Sequence, residues 1–139
     1  MMAGIRSQNT RLEMALRQGL HSQGFRFRLH DRKLAGTPDL VFAKHQAVLF
    51  AHGCFWHGHD CHLFKWPKTR AAFWRAKIAR NQAANARALS LLQLLGWRTC
   101  VVWECAIKGR TALPGDAVIV ACADWLAGGQ QSLDVRGTG

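Results

Sequence analysis

The sequence predicts a mixed α/β domain in which helices are layered on a central sheet, and three observations carry that expectation. Leucines recur at helical spacing over residues 12–20, two apolar runs of strand length fill residues 39–50, and a long helical pattern at about 69–95 leads into another β-rich stretch. Helical and strand periods alternating in one chain, with no internal repeat, are what layered packing around a single sheet requires. At 139 residues the chain can bury one real core but not two. One domain is therefore expected over residues 1–127, with residues 1–8 as a mobile arm and residues 128–139 as a disordered, polar, glycine-rich tail.

The elements follow in order. Thr10-Arg11-Leu12-Glu13 fits a capping box, with the Thr10 hydroxyl closing one open amide and Glu13 reaching back to another. The helix it starts runs to about Gly24, a residue able to take the left-handed conformation that ends it. From Phe25 the period falls to two. Phe25, Phe27 and Leu29 alternate with Arg26, Arg28 and His30, predicting a strand whose basic residues face outward. Residues 39–43 and 46–50 read as two strands joined by the short Lys44-His45 turn, which leaves Asp39 at the mouth of a buried strand.

Thr69 is the expected cap of the long helix. One face of that helix runs Trp74, Ile78, Asn81, Asn85, Ala88, Leu92 and Leu95. On this pattern alone the two asparagines read as hydrogen-bonded core amides, with a view into a polar site as the alternative. Lys77, Arg80 and Arg87 fall on another face, suited to phosphates. Trp97 to Glu104 reads as a strand, and Asp116 to Leu126 as a last short helix.

Charge narrows the function. The chain has 19 Lys and Arg against 8 Asp and Glu, a net charge of +11, and no acidic residue stands between Cys61 and Trp103. A polyanion is the natural partner, because neutralising phosphates releases condensed counterions. The five cysteines are an odd number, no signal-peptide pattern opens the chain, and no apolar run is long enough to span a bilayer. A reducing cytosol is expected, where cysteines clustered with histidines are more often metal ligands than a disulfide framework.

The chemistry is concentrated in Phe50 to His62, where, besides Phe50 itself, four histidines, two cysteines, an aspartate and two large aromatic side chains occupy a glycine-punctuated loop. Cys54, His59 and Cys61 form a Cys-x4-His-x-Cys cluster, and Cys105 at a strand end could supply a fourth ligand. Three thiolates and an imidazole make a closed, structural zinc site; free buried cysteines are the competing reading, and Cys100 and Cys122 read as core. Asp39, the Ala51 carbonyl and His52 could share a pocket beside His57. Two hard oxygens suit Mg²⁺, and the imidazoles could move protons or stabilise charge.

Beyond this local chemistry, Ile5 to Glu13, Gly24 to Arg28, Gly36-Thr37-Pro38-Asp39, His52 to His57, Cys61 to Lys65, Phe73-Trp74 with Lys77-Ile78, and Gly96-Trp97 with Trp103-Glu104-Cys105 resemble the very short patch repair (Vsr) DNA mismatch endonucleases. The likeness covers residues 2 to 112 in order. It implies a restriction-endonuclease-like fold, a central mixed sheet flanked by helices, with the superfamily's usual Glu-x-Lys replaced by Phe50-Ala51-His52. It also implies Mg²⁺-dependent nicking 5′ to the thymine of a T:G mismatch left by deamination of 5-methylcytosine.

By position, the resemblance makes Asp39 and the Ala51 carbonyl the magnesium ligands, and His52 and His57 the catalytic histidines. Glu13 becomes a further active-site acid, and Cys54, His59, Cys61 and Cys105 the zinc ligands. Met2, Phe55, Trp56 and Trp74 match residues that wedge into the duplex. Ala51 stands where the family has a threonine, Asn85 where it often has an aspartate supporting the catalytic histidine, and the N-terminal arm is shorter than in some relatives. A cytoplasmic, nucleoid-associated monomer is expected, acting on double-stranded DNA with mismatch-repair proteins as further partners and with no membrane contact.

The competing function class is a zinc-stapled DNA-binding module that recognises distorted duplex with weak or no cleavage, a reading that Asn85 favours and the set Asp39, His52 and His57 opposes. A hydrolytic zinc enzyme built on the histidine-rich loop ranks third, since a cysteine-rich shell leaves no open position.

Overall fold

The computed structural model describes residues 10–138. Helix α1 (Arg11–Ser22) begins at Thr10, whose hydroxyl accepts from the Glu13 amide at 3.2 Å. It closes in a Schellman arrangement: Phe25 N donates to Leu20 O, Gly24 N donates to His21 O, and Gly24 takes φ 95°. The sheet is ordered β1 (Arg28–Leu29), β2 (Leu40–Phe42), β3 (Ala47–His52), β4 (Arg98–Trp103) and β5 (Ser132–Val135). The β1–β2 and β2–β3 pairs are antiparallel, while the β3–β4 and β4–β5 pairs are parallel. Helix α2 (Ala71–Leu94) crosses between β3 and β4, and α3 (Ala117–Ala127) crosses between β4 and β5.

Strand periodicity sorts the core into two layers. Leu40, Phe42, Ala47, Leu49, Cys100 and Val102 face α1 and α3, where Leu12, Leu16, Leu20, Cys122 and Trp125 close the larger cluster. Val41, Val48, Phe50 and Val101 face the other way, against Leu92 of α2. Each fully buried leucine contributes about 1.5–3 kcal/mol relative to exposure, and α1 spends three of them on one face. The result is the mixed α/β layering expected, in a restriction-endonuclease-like arrangement.

Four local expectations are corrected. Only Arg28–Leu29 of the stretch from Phe25 to His30 pairs as strand, and Leu29 is exposed. His30 takes φ 47°, which breaks the period-two alternation and turns its ring inward. The long helix is capped by Arg70 in the left-handed region rather than by Thr69, and no side chain closes its start. Leu95 lies beyond the helix and is 70% exposed. Finally, the supposed tail is ordered. Leu133 and Val135 pack on the larger core while β5 covers the open edge of β4. Beyond it, Arg136 Nη1 donates to Asp60 Oδ1 at 2.9 Å, and Thr138 N donates to Thr111 O at 2.8 Å. The N-terminal arm expected over residues 1–8, Met2 included, lies outside the described residues. Among those described, no helix is long and apolar enough to cross a membrane.

Candidate active site and metal centre

An open cleft of about 620 Å³ lies on the α2 side of the sheet, where β3 ends. Asp39 enters it from the start of β2, and Ala51 and His52 from the end of β3. Lys77, Asn81, Asn85 and Ala88 line it from α2, and Trp56 and His57 from the following loop. Asp39 Oδ2 accepts from the Ala51 amide at 2.7 Å, which locks the acid against the strand end. Burial raises the Asp39 carboxyl to about 7, with Glu13 adding to the shift and the Ala51 amide opposing it. A cation beside it would favour the ionised form.

His52 and His57 stack with ring centroids 3.8 Å apart and planes 16° apart. Burial is the first cause that lowers both. His57 falls to about 4, and His52 drops well below its ordinary value with His57 adding to the effect. Both imidazoles are therefore neutral near pH 7. Their Nδ1 atoms are buried with no hydrogen-bond partner among the described residues, an arrangement native interiors tolerate mainly where a ligand or water completes it.

The asparagines resolve in favour of the polar site: Asn81 and Asn85 look into the cleft rather than into a core. Asn81 Nδ2 donates to Trp56 O at 2.9 Å and so ties α2 to the loop. Asn85 is half-buried, and no hydrogen bond joins it to His57. Lys77, assigned to another face by helical spacing, instead lines the cleft, with Nζ 5.9 Å from the Trp56 ring. Arg80 and Arg87 are exposed on the helix flank. Phe55, Trp56 and Trp74 form a half-buried aromatic cluster with centroids 5.3 to 6.0 Å apart at the mouth of the cleft.

Sequence reasoning missed His30 as a member of this site. Its Nε2 lies 2.7 Å from Glu13 Oε2 and 3.9 Å from Asp39 Oδ1, while Arg17 pairs with the same Glu13 oxygen. Glu13, His30 and Asp39 together could hold a metal ion. The signal was faint: a histidine in a period-two run reads as outward-facing, and only its left-handed backbone reverses it.

Behind the imidazoles lies a second cluster, in which one ligand atom from each of Cys54, His59, Cys61 and Cys105 falls within 4.8 Å of the others. His59 Nδ1 is 3.6 Å from Cys54 Sγ and 3.7 Å from Cys105 Sγ. Backbone amides already point at the sulfurs: Cys105 N lies 3.3 Å from Cys54 Sγ, and Gly137 N lies 3.4 Å from Cys105 Sγ. Donors so aimed stabilise thiolates, whereas burial pushes the metal-free Cys54 thiol up. The set fits a closed metal site. The loop is seated closely on α2: Gly58, at φ 56°, lies so near Ile78 that a Cβ there would be 2.7 Å away.

A mixed sheet that carries an acid and two imidazoles into a cleft beside a basic helix fits one class, a nuclease of restriction-endonuclease-like fold. The family model for DNA mismatch endonuclease Vsr matches residues 1–63. The DNA mismatch endonuclease Vsr of Escherichia coli strain K12 is 42% identical over 134 residues, which is 96% of this chain and 86% of its own length. The chain belongs to the Vsr family of DNA mismatch endonucleases. The type II nicking enzyme V.XorIIP of Xanthomonas oryzae pv. oryzae is 50% identical over 113 residues, covering 81% of this chain and 83% of its own length. V.NmeAIP, a type II nicking enzyme of Neisseria meningitidis, is 39% identical over 109 residues, 78% of each chain. Fold, site and relatives agree on a DNA nicking endonuclease of the mismatch-repair class.

Proposed function

We propose that this protein is a Mg²⁺-dependent endonuclease that nicks double-stranded DNA 5′ to the thymine of a T:G mismatch, the lesion left when 5-methylcytosine is deaminated. The observation that carries the reading is one cleft holding a buried carboxylate bonded to the Ala51 amide at the end of β3, and two neutral imidazoles, with an aromatic cluster at its mouth. Asp39 and the Ala51 carbonyl offer hard oxygens suited to Mg²⁺, with Glu13 and His30 completing the acidic side. When bound, the ion supplies positive charge against the phosphate oxygens as they gain negative charge. His57 takes the proton of the attacking water, and His52 stacks against it and shares the developing positive charge. Lys77 and Arg80 bind flanking phosphates. In the second cluster, three sulfurs and one imidazole suit a structural Zn²⁺.

Nicking of labelled matched and T:G duplexes, with and without Mg²⁺, tests the reading, and cleavage that ignores either the mismatch or the metal would refute it. Phe55, Trp56 and Trp74 are assigned to wedge between base steps, which costs a few kcal/mol that a weakened pair reduces. Trp56→Ala is therefore expected to lower the preference for mismatched over matched duplex by about 10-fold. Competition binding with the two duplexes measures it, and an unchanged preference removes the wedge.

Asn85 gives the alternative, a module that binds distorted duplex without cutting, its footing. In Asn85→Asp, a carboxylate lining the same cleft as His57 would stabilise the imidazolium formed during proton transfer. Burial holds His57 near 4 in the parent, so its acidic limb lies below the free-imidazole value of about 6.5. The aspartate favours the charged ring, so the limb moves to higher pH while the plateau rate rises by about 10-fold. Single-turnover rates over about pH 3 to 9, a range that takes in the parent's limb, decide it: a variant no faster than the parent, with an unmoved limb, shows that position 85 does not act on His57.

A further inference from the structure

The two sites are joined by a side chain that neither uses as a ligand or proton carrier. On β4, Trp103 is the register partner of His52 on β3. Partners in a parallel pair point to the same face, so the indole stands beside the imidazole. One face of Trp103 lies flat on the His59 ring, with centroids 3.9 Å apart and planes 7° apart. On its other contacts it meets His52 edge-on at 5.1 Å and His57 at 5.8 Å. Its Nε1 donates to Asp134 Oδ1 at 2.9 Å, which fixes the rotation of the ring from β5. Neither His52 nor His57 has a hydrogen-bond partner on Nδ1 among the described residues. Among those residues, ring contacts are therefore what set the angle of the imidazole pair, and Trp103 backs both rings.

We infer that Trp103 is a positioning residue which transmits the rigid geometry of the Cys/His cluster to the His52 and His57 pair. The inference rests on the proposed role of those histidines. A flat ligand ring held in the cluster, a flat indole held by Asp134, and a stacked imidazole pair form one continuous block, and orientation errors well below an ångström in such a block are felt in the rate. The C-terminal strand thereby acquires a part in activity, because Asp134 belongs to β5.

The test compares Trp103→Leu, Trp103→Phe and Asp134→Ala with the parent in single-turnover nicking of a T:G duplex, in duplex affinity without Mg²⁺, and in zinc content by elemental analysis. Trp103→Leu fills part of the slot without a flat face, and should nick about 10²-fold more slowly while affinity and zinc content stay within twofold. Trp103→Phe restores a ring against His59 and should recover to within about 5-fold of the parent; Asp134→Ala, which only frees the indole to rotate, should cost about 5-fold. Should Trp103→Leu lose zinc or helical signal, the Phe and Asp134→Ala variants carry the comparison. The inference is overturned if leucine nicks as fast as phenylalanine, or if rate, affinity and zinc fall together in every variant. His57→Ala is measured alongside. A fully active His57→Ala overturns the functional reading itself, whereas an inactive one beside an unaffected Trp103→Leu overturns only this inference.

Discussion

Asp39→Asn is expected to lower nicking by about 10³-fold, the several kcal/mol that a fixed cation contributes to the transition state, and yet to make the protein more stable. The carboxyl is buried, and burial raises it from 3.8 to about 7. Between those values the folded state keeps a proton that the unfolded chain has lost, so this group's contribution to stability falls as pH rises and is fully lost above about 7. An amide removes that cost, while its oxygen can still accept from the Ala51 amide. A shift of this size corresponds to on the order of 2–4 kcal/mol, or a melting temperature about 5–10 °C higher at pH 8. At pH about 3, below both values, the parent's carboxyl is mostly neutral in both states, and the advantage should nearly vanish. Thermal unfolding without Mg²⁺ at the two pH values checks the stability half, and single-turnover nicking checks the other. An Asn variant that still cuts with Mg²⁺, or a stability gain indifferent to pH, would show that Asp39 is neither the metal's ligand nor a strained acid. Strain of this kind is what a metal site stores before its ion arrives.

What could be read in the chain depended on how locally each feature was encoded. The Thr10 cap, the Gly24 terminus and the apolar run Leu40-Val41-Phe42 are short-range signals, and the structure reproduces them as a capped helix start, a left-handed terminus and a buried strand. Cys54, His59 and Cys61 were legible as a group because they fall within eight consecutive residues, and Cys105 because strand ends converge at one edge of a sheet. The losses came where one backbone angle or one distant partner decides the outcome. His30 turns inward through a single left-handed residue. Strand β5 offers only Leu133 and Val135 as apolar signal, and becomes a strand because β4 presents an edge to it. Lys77 sits at the rim of a cleft whose other wall lies 20 or more residues away in the chain, so helical spacing alone assigned it to the wrong side. Trp103 read as an ordinary strand residue. Its contacts come from β3, from the cysteine loop and from β5, three segments that no local pattern links.

Removing the ion from the Cys/His cluster should be the most damaging change. Cys54, His59 and Cys61 lie in a loop tied to the fold by a few hydrogen bonds, from Asn81 and Gln82 to the Trp56 and His57 carbonyls and from Arg136 to Asp60. Without a cation, three thiols and an imidazole crowd one another, and burial makes the Cys54 thiolate unfavourable. Binding must therefore release protons, and affinity falls as pH falls. In small domains such a site supplies about 10–16 kcal/mol of folding free energy. Here the sheet has two apolar layers of its own, so a smaller share is expected, enough to disorder the loop while leaving α1, α3 and the five strands. Because that loop carries Trp56 and His57, Cys61→Ser should hold less than one zinc per chain and nick at least about 10²-fold more slowly. Its melting temperature should drop by about 10 °C or more. Cys61 is the choice for the variant because it is the least buried of the three thiols, so the substitution opens no cavity in the core. Elemental analysis, unfolding and nicking on the same preparation separate the possibilities. Parent protein that is folded and active with no zinc would dissolve the structural role of the cluster. A Cys61→Ser variant that keeps its zinc and its rate would instead confine that role to the other three ligands.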